Sequence, residues 1–304
     1  MKKIYTLLLA SIIVTSIQSQ TVDLSLKLEK GKEYRQVTTS KSTVEQNMMG
    51  QEINMTMTVN GAMTYNIENI NEDVYEMKAM YNELSMSMEM PQGTVKYSSE
   101  TKDTADGVSS LFSNIKNKPF ELEINKKGRV KEVRNIDALW QTVIENSDDL
   151  SEEQKEQMKS QIKAAFGEET IKSNMESASA IYPDKPVKKG DKWIINTSVD
   201  GDIKTKVATE YELLDFTSEY ALIKGNAIIE PLDSEAAGMM PMKFDFSGSQ
   251  IAEIKVDINT GWIIEAKTTQ EIEGEIEMNM GGSQQGNEEV KISMKMVQET
   301  LVTN

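Results

Sequence analysis

The side chains whose type and spacing could support chemistry are methionines. The 304-residue chain holds twenty, and many fall two apart: Met55 and Met57; Met86, Met88 and Met90; Met240 and Met242; Met278 and Met280; Met294 and Met296. On a strand, residues two apart share a face, so each step would present thioethers ~7 Å apart on one side of a sheet. Three roles suit that pattern. The thioethers can fill a core, because Met55 and Met57 continue the phase of Ile53 and Val59, and Met278 and Met280 that of Ile272 and Ile276. They can line a cavity for a hydrophobic ligand, a use to which a pliable, polarizable side chain is suited. They can capture Cu(I), which soft thioethers select, although the chain has no His or Cys to complete the ligand set. On the second role, Met55, Met57, Met86, Met88, Met278, Met280, Met294 and Met296 are the candidate ligand-binding residues. No cofactor and no resident metal is expected.

The absences are as informative. Without Cys or His there is no thiolate nucleophile, no Ser-His-Asp relay, no Cys/His zinc site and no disulfide. A Gly-x-Ser-x-Gly elbow and a glycine-rich phosphate loop are both missing. Ser-x-x-Lys occurs at Ser99–Lys102, Ser113–Lys116 and Ser160–Lys163, but its companion elements do not. Acid clusters at Glu68–Asp73, Asp148–Glu153 and Asp200-Gly201-Asp202 do not reproduce a calcium loop and read as solvated turns. A paired-carboxylate enzyme has no positive mark among 49 acids. Trp140, Trp193 and Trp262 are too dispersed for a carbohydrate-binding strip. With 33 basic against 49 acidic residues, a formal charge of −16, neither nucleic acid nor an anionic membrane is a suitable partner. The expectation is a non-enzymatic protein.

The elements that must carry these residues begin after a leader. Lys2 and Lys3 precede an apolar stretch from Ile4 to Ile17, and Gln18-Ser19-Gln20 is small and polar, which reads as a signal peptide (residues 1–20) cleaved after Ser19 or Gln20. No Cys stands at that junction to take a lipid, and no later run reaches ~18 apolar residues. Residues 21–304 are therefore expected to be one mature, exported β-rich domain, periplasmic or secreted, without a transmembrane segment.

Within it the dominant period is two. Ile53, Met55, Met57 and Val59 alternate with Asn54, Thr56, Thr58 and Asn60, and Met63, Tyr65 and Ile67 resume the phase beyond Gly61. Gly61 reads as a bend in an over-long strand; further strands are expected near Val74–Tyr81 and Leu84–Met90. A hairpin over Phe120–Val133 turns at Lys126-Lys127-Gly128. Helices follow. Ile136–Glu145 turns Leu139, Trp140, Val143 and Ile144 inward, and a second opens at the capping box Ser151–Gln154 behind a Leu150 staple, burying Met158, Ile162, Ala165 and Phe166 up to Gly167. A third runs from Glu168 to about Ala180, and a short one is expected near Val108–Ile115. From Lys192 onward the chain is β again, with Ile203 to Leu213 alternating, Gly281–Gly286 as a loop and a last strand over Glu289–Val302.

The β regions resemble each other. Leu28-Glu29-Lys30-Gly31-Lys32-Glu33-Tyr34 matches Val187-Lys188-Lys189-Gly190-Asp191-Lys192-Trp193, Tyr65 matches Tyr211, and Glu123–Gly128 matches Asp257–Gly261 with a turn one residue shorter. The fold class expected is mainly β (α+β): a large curved antiparallel sheet or half-barrel of two related halves, about 21–133 and 187–304, with a helical insert over 136–180.

The leader, the Lys-Gly-x-x-Tyr start and the Tyr182-Pro183-Asp184-Lys185-Pro186-Val187-Lys188-Lys189-Gly190-Asp191-Lys192-Trp193 segment together resemble a family of uncharacterised exported proteins of Bacteroidetes-type bacteria, a domain of unknown function. The resemblance covers most of the mature chain and implies no activity. The architecture is similar, at fold level, to the half-barrels of periplasmic lipoprotein carriers. Two functions stay open: binding a lipid, an acylated protein or another hydrophobic ligand on a Met-lined sheet face near the helical insert, or acting as an envelope structural or interaction protein whose methionines only fill the core.

Overall fold

A computed structural model of the protein describes residues 20–48, 50–101, 107–145, 151–199, 204–232, 235–236, 242–280 and 288–304. The leader up to residue 19, Met49, Asp148–Leu150, Asp200–Ile203, Met239, Met240 and the Gly281–Gly286 loop lie outside the described residues, as does the side chain of Ala165. The chain builds β1 (Thr21–Val22), β2 (Glu33–Met48), β3 (Gln51–Asn71), β4 (Val74–Met90), β5 (Gly93–Ser98), α1 (Gly107–Ile115), β6 (Phe120–Asn125) and β7 (Val130–Arg134). The insert follows as α2 (Ile136–Glu145), α3 (Glu152–Phe166) and α4 (Glu168–Ser179). Then come β8 (Val187–Lys188), β9 (Lys192–Val199), β10 (Thr205–Phe216), β11 (Tyr220–Pro231), β12 (Glu235–Ala236), β13 (Met242–Asp257), β14 (Ile263–Met280) and β15 (Glu288–Thr303).

One large curved antiparallel sheet dominates, in the order β7-β6-β4-β3-β2-β15-β14-β13-β11-β10-β9, with β5 on β4 and β12 on β13. It is not closed into a barrel. Its period-two alternation sorts side chains so completely that the two faces differ in kind. The inner face, on which Tyr65, Met77 and Leu122 meet α4, is apolar or neutral apart from Glu288 at the start of β15. The outer face takes the charge, as on β14, where Glu265, Lys267, Glu271, Glu273, Glu275 and Glu277 fall in one phase and Ala266, Thr268, Gln270, Ile272 and Ile276 in the other.

Strands this long keep their phase only with help. Val74–Met90 is a single strand rather than two, and the irregularity expected at Gly61 lies across from it in β4. There Ala62 pairs with Glu83 and Met63 with Tyr81, so Asn82 is the extra residue of a bulge. The bulge is held by Thr64 Oγ1 donating to Asn82 Oδ1 at 2.6 Å and by Asn82 Nδ2 donating to Asn117 Oδ1 at 3.1 Å. It switches β4 from odd to even phase, so that Leu84, Met86 and Met88 stay on the inner face with Tyr75, Met77 and Ala79.

Helix α3 opens with the expected capping box, Ser151 and Gln154 exchanging side-chain-to-backbone bonds at 3.3 and 2.9 Å. Trp140, Val143 and Ile144 of α2 are buried with Ile136, whereas Leu139, Met158, Ile162 and Phe166 are half-buried against the same core. Helix α4 packs on both sheet margins, β7 and β9. Its Glu176 accepts from Arg129 Nη1 at 2.9 Å and from the Val130 amide at 3.2 Å, while Arg129 Nη1 also donates to the Asn196 carbonyl of β9 at 3.0 Å. That arrangement covers two sheet edges that would otherwise present bare backbone groups.

The base of the sheet repeats its hydrogen bonding in the two halves. The Gly31 amide donates to the Ile67 carbonyl and the Gly190 amide to the Leu213 carbonyl, both at 2.8 Å. The Ile67 amide returns to Lys32 at 3.0 Å and the Leu213 amide to Asp191 at 3.1 Å. In the third matched pair the alignment differs from the sequence reading. Asn125 corresponds to Asp257, because each ends its strand and uses its Oδ1 to cap the following amides at 2.8 to 2.9 Å. The second turn is thus one residue longer than the first, not shorter. Between these turns passes the buried segment Leu24–Leu28, with the Leu26 amide on Lys126 and the Lys27 amide on Thr260, both at 2.8 Å.

Close approach at those turns demands glycine. Gly128 (φ +77°) and Gly261 (φ +71°) would each place a Cβ 1.9 and 2.2 Å from the Ser179 and Ser25 carbonyl oxygens, whereas Gly31 (φ +79°) has nothing within 4 Å. Gly31→Ala should cost ~1–2 kcal/mol, the left-handed penalty alone. Gly128→Ala and Gly261→Ala should each cost at least ~2 kcal/mol more, because backbone must move. Urea unfolding of the three variants measures this, and equal losses would show that the close approaches are not there.

Candidate functional site

The inner face of the sheet and α4 border an apolar cavity, partly open to solvent beside α4, of about 320 Å³, at the lower end of the ~300–1,000 Å³ usual for ligand pockets. Its floor is Gln36 and Thr38 of β2, Met63 and Tyr65 of β3, Met77 of β4, Leu122 and Ile124 of β6, with Trp262 and Ile263. Its roof is Asn174, Met175, Ala178 and Ser179 of α4, and Leu26 and Tyr182 close the base end.

Each wall is fixed by a bond whose partner lies on another element. Trp262 Nε1 donates to the Arg35 carbonyl at 3.0 Å, and its ring lies 5.1 Å from Tyr34 and 5.4 Å, edge-on, from Tyr65. Tyr65 Oη donates toward Gln36 Oε1 at 3.4 Å and Met63 Sδ at 3.5 Å. Ser179 Oγ reaches the Gly128 and Met175 carbonyls, both at 2.7 Å, which seats the end of α4 on the β6–β7 turn. Tyr182 Oη donates to the Gly261 carbonyl. The polar groups at the walls are thus neutral, and no lining residue is charged.

Beyond Thr38 the inner face continues as a neutral band. Ser40 Oγ and Thr300 Oγ1 lie 3.0 Å apart across β2 and β15, and Gln298 Nε2 donates to Thr300 Oγ1 at 3.3 Å. Past this band the face turns apolar again, and here stand most of the methionines singled out from the sequence. Met57 of β3 is directly opposite Met88 of β4, Val59 opposite Met86, and Met55 opposite Val44, which is opposite Met296. Met55, Met57, Met86, Met88, Met294 and Met296 are all half-buried. Met278 and Met280 hold strand positions on β14 opposite Val290 and Glu288, and their side chains lie outside the described residues.

None of the six with described side chains lines the cavity; Met57 is six residues from Met63, ~20 Å along the strand. The thioethers in the cavity are Met63, Met77 and Met175. They stand outside any Met-x-Met step, so spacing did not mark them. The signal that could have found two of them is the phase shared with Tyr65 and with Tyr75. A wider groove of about 540 Å³ lies where β2, β3, β14 and β15 run together, lined by Glu45, Glu52, Glu273, Glu275 and Lys295, and includes Met294. Its exposed walls leave an apolar ligand in water, so the smaller cavity is the candidate site.

Among the described residues no three His, Cys, Asp or Glu side chains converge to hold a metal, and no helix is long and apolar enough to cross a membrane.

Residues 72–263 match the model of a family described as Family of unknown function (DUF6263). No curated protein matches the chain. Among solved structures, one described as lipid–protein interactions in lipovitellin is similar at 8% identity and a TM-score of 0.45, over 91% of this chain and 26% of that one. The chain thus spans about a quarter of the lipovitellin chain. An outer-membrane channel from Pseudomonas putida is similar at 6% identity and a TM-score of 0.27, over 91% of this chain and 97% of that one. Likenesses at this level carry no functional argument.

Burial of tyrosine hydroxyls in the core, Tyr65 and Tyr182 at the cavity and Tyr81 and Tyr211 elsewhere, has a measurable consequence. It pushes Tyr81 and Tyr211 up to about 12 and raises Tyr65 and Tyr182 as well. Below the ordinary tyrosine value of ~10 these groups are neutral folded or unfolded. Above it the unfolded chain ionises first, so stability should fall as pH rises from ~10 to ~12. Tyrosinate absorbance should lag in the folded protein, and denaturant midpoints should drop across that window. Ionisation of every tyrosine near pH ~10 in folded protein would contradict the burial.

Proposed function

The chain belongs to the DUF6263 family, and we propose that this member is an exported, non-enzymatic protein that binds a hydrophobic, lipid-like ligand between its sheet and α4. The observation that carries the reading is the apolar cavity of about 320 Å³ beneath α4, with no charged residue in its lining. Burial of apolar ligand surface there would supply ~25 cal/mol per Å² before the costs of association. Export is supported by Lys2, Lys3 and the apolar stretch 4–17. The half-buried methionines farther along the face extend the apolar surface beyond the cavity and suit a ligand longer than the cavity itself.

Helix α4 is the roof, so filling the space beneath it is the test. The neutral fluorophore N-phenyl-1-naphthylamine should bind saturably to the wild type. Ala178→Trp should weaken it at least ~10-fold, a loss of ~1.4 kcal/mol, with an unchanged thermal midpoint because Ala178 is exposed. Native mass spectrometry of protein purified from cells should detect a co-purifying lipid. Wild-type protein that neither binds the probe nor carries a lipid would sink the proposal and leave the methionines as core.

A further inference from the structure

We infer that the ligand is an un-ionised single-chain amphiphile, whose tail lies under α4 and whose neutral head meets the hydroxyl and amide band of the inner face. This rests on the cavity reading and narrows it to a chemical class. The ground is charge segregation over the whole sheet. Among the described residues, the inner-face positions of β2, β3, β4, β6, β9, β10, β11, β13, β14 and β15 hold no Lys, Arg, Asp or Glu except Glu288, the first residue of β15, at the end of the strand far from Thr300 and the cavity.

An anionic head, carboxylate or phosphate, taken from water onto such a face would find no counter-charge, and an unpaired buried ion is far more costly than a buried hydroxyl. The nearby cations are committed elsewhere. Arg129 is engaged with Glu176 and the Asn196 carbonyl at 2.9 and 3.0 Å. Lys127 Nζ lies 3.3 Å from the Leu24 carbonyl and 3.7 Å from Asp23. What the face does offer is donor and acceptor capacity without charge. Gln36 and Thr38 stand at the cavity, and the Ser40–Thr300 pair, in which either hydroxyl can donate, lies one step along β2. A hydroxyl, ester or amide head fits that inventory. A cationic head meets the same lack of a partner.

The test is displacement of the bound fluorophore by monododecanoylglycerol and by dodecanoate, equal in chain and different in head charge, near neutral pH. The glyceride should displace at least ~10-fold more tightly, ~1.4 kcal/mol. The preference should persist from ~0.15 to ~0.5 M salt, which screens the acidic outer face beyond ~8 Å. Thr38→Lys, with Gln36→Lys as a second variant should the first fail to fold, should raise dodecanoate affinity at least ~10-fold by supplying the missing cation. A preference below ~10-fold, one that vanishes in salt, or no gain in either folded variant would overturn the class while leaving the cavity standing. A fluorophore that fails to bind at all would overturn the cavity reading and this one with it.

Discussion

Confinement of nearly all strand charges to one face of the sheet, with an apolar or neutral face opposite, maintained over strands of 16 to 21 residues, is the constraint on which the structure depends. A one-residue slip in register would carry glutamates and lysines inward and expose the apolar set. Register is therefore held not by turns alone but by the free energy of an entire face. The outer ion pairs, such as Lys295–Glu273 at 2.8 Å and Lys291–Glu277 at 2.5 Å, lie between adjacent strands and are solvent-exposed. Each contributes little by itself. Together they make the correct register electrostatically consistent, while the inner face makes any other register expensive.

The same constraint explains the insert. A curved sheet with one apolar face and two free margins needs a cover for both, and α4 supplies it by packing on β7 and β9 at once. Arg129 is the pivot of that contact, joined to Glu176 of α4 and to the backbone of β9 through one guanidinium nitrogen. Closing the gap with a helix rather than a strand leaves space beneath side chains such as Met175 and Ala178, and that space is the cavity.

Much of this was legible in the sequence because alternation, caps and glycine turns are local signals. The capping box at Ser151, the break at Gly167, the hairpin at Gly128 and the matched Lys-Gly turns are all where their residues place them. What the sequence concealed was relational. The phase change between Tyr81 and Leu84 reads as a gap between strands, and only the pairing with β3 reveals one strand carrying a bulge at Asn82. The match of Asn125 to Asp257 is likewise hidden by the shared Ile-Asn letters, since equivalence lies in what the side chains cap. The cavity methionines could not be selected because Met63 and Met77 look like any core residue, and Met175 comes from a helix more than a hundred residues away from the first of them in sequence.

The seam between β2 and β15 joins residues 260 positions apart, as in the contact of Ser40 with Thr300. That pairing sits at the middle of the sheet, not at its margin. A chain made from its N-terminus must therefore hold β2 with one side unpaired until β15, more than two hundred residues later, arrives. Loop-closure entropy makes such a contact late in folding, and an open strand edge in the interim invites intermolecular pairing. The kinetic hazard of this molecule is its centre, and the sixteen-residue β15 is the piece that ends the exposure.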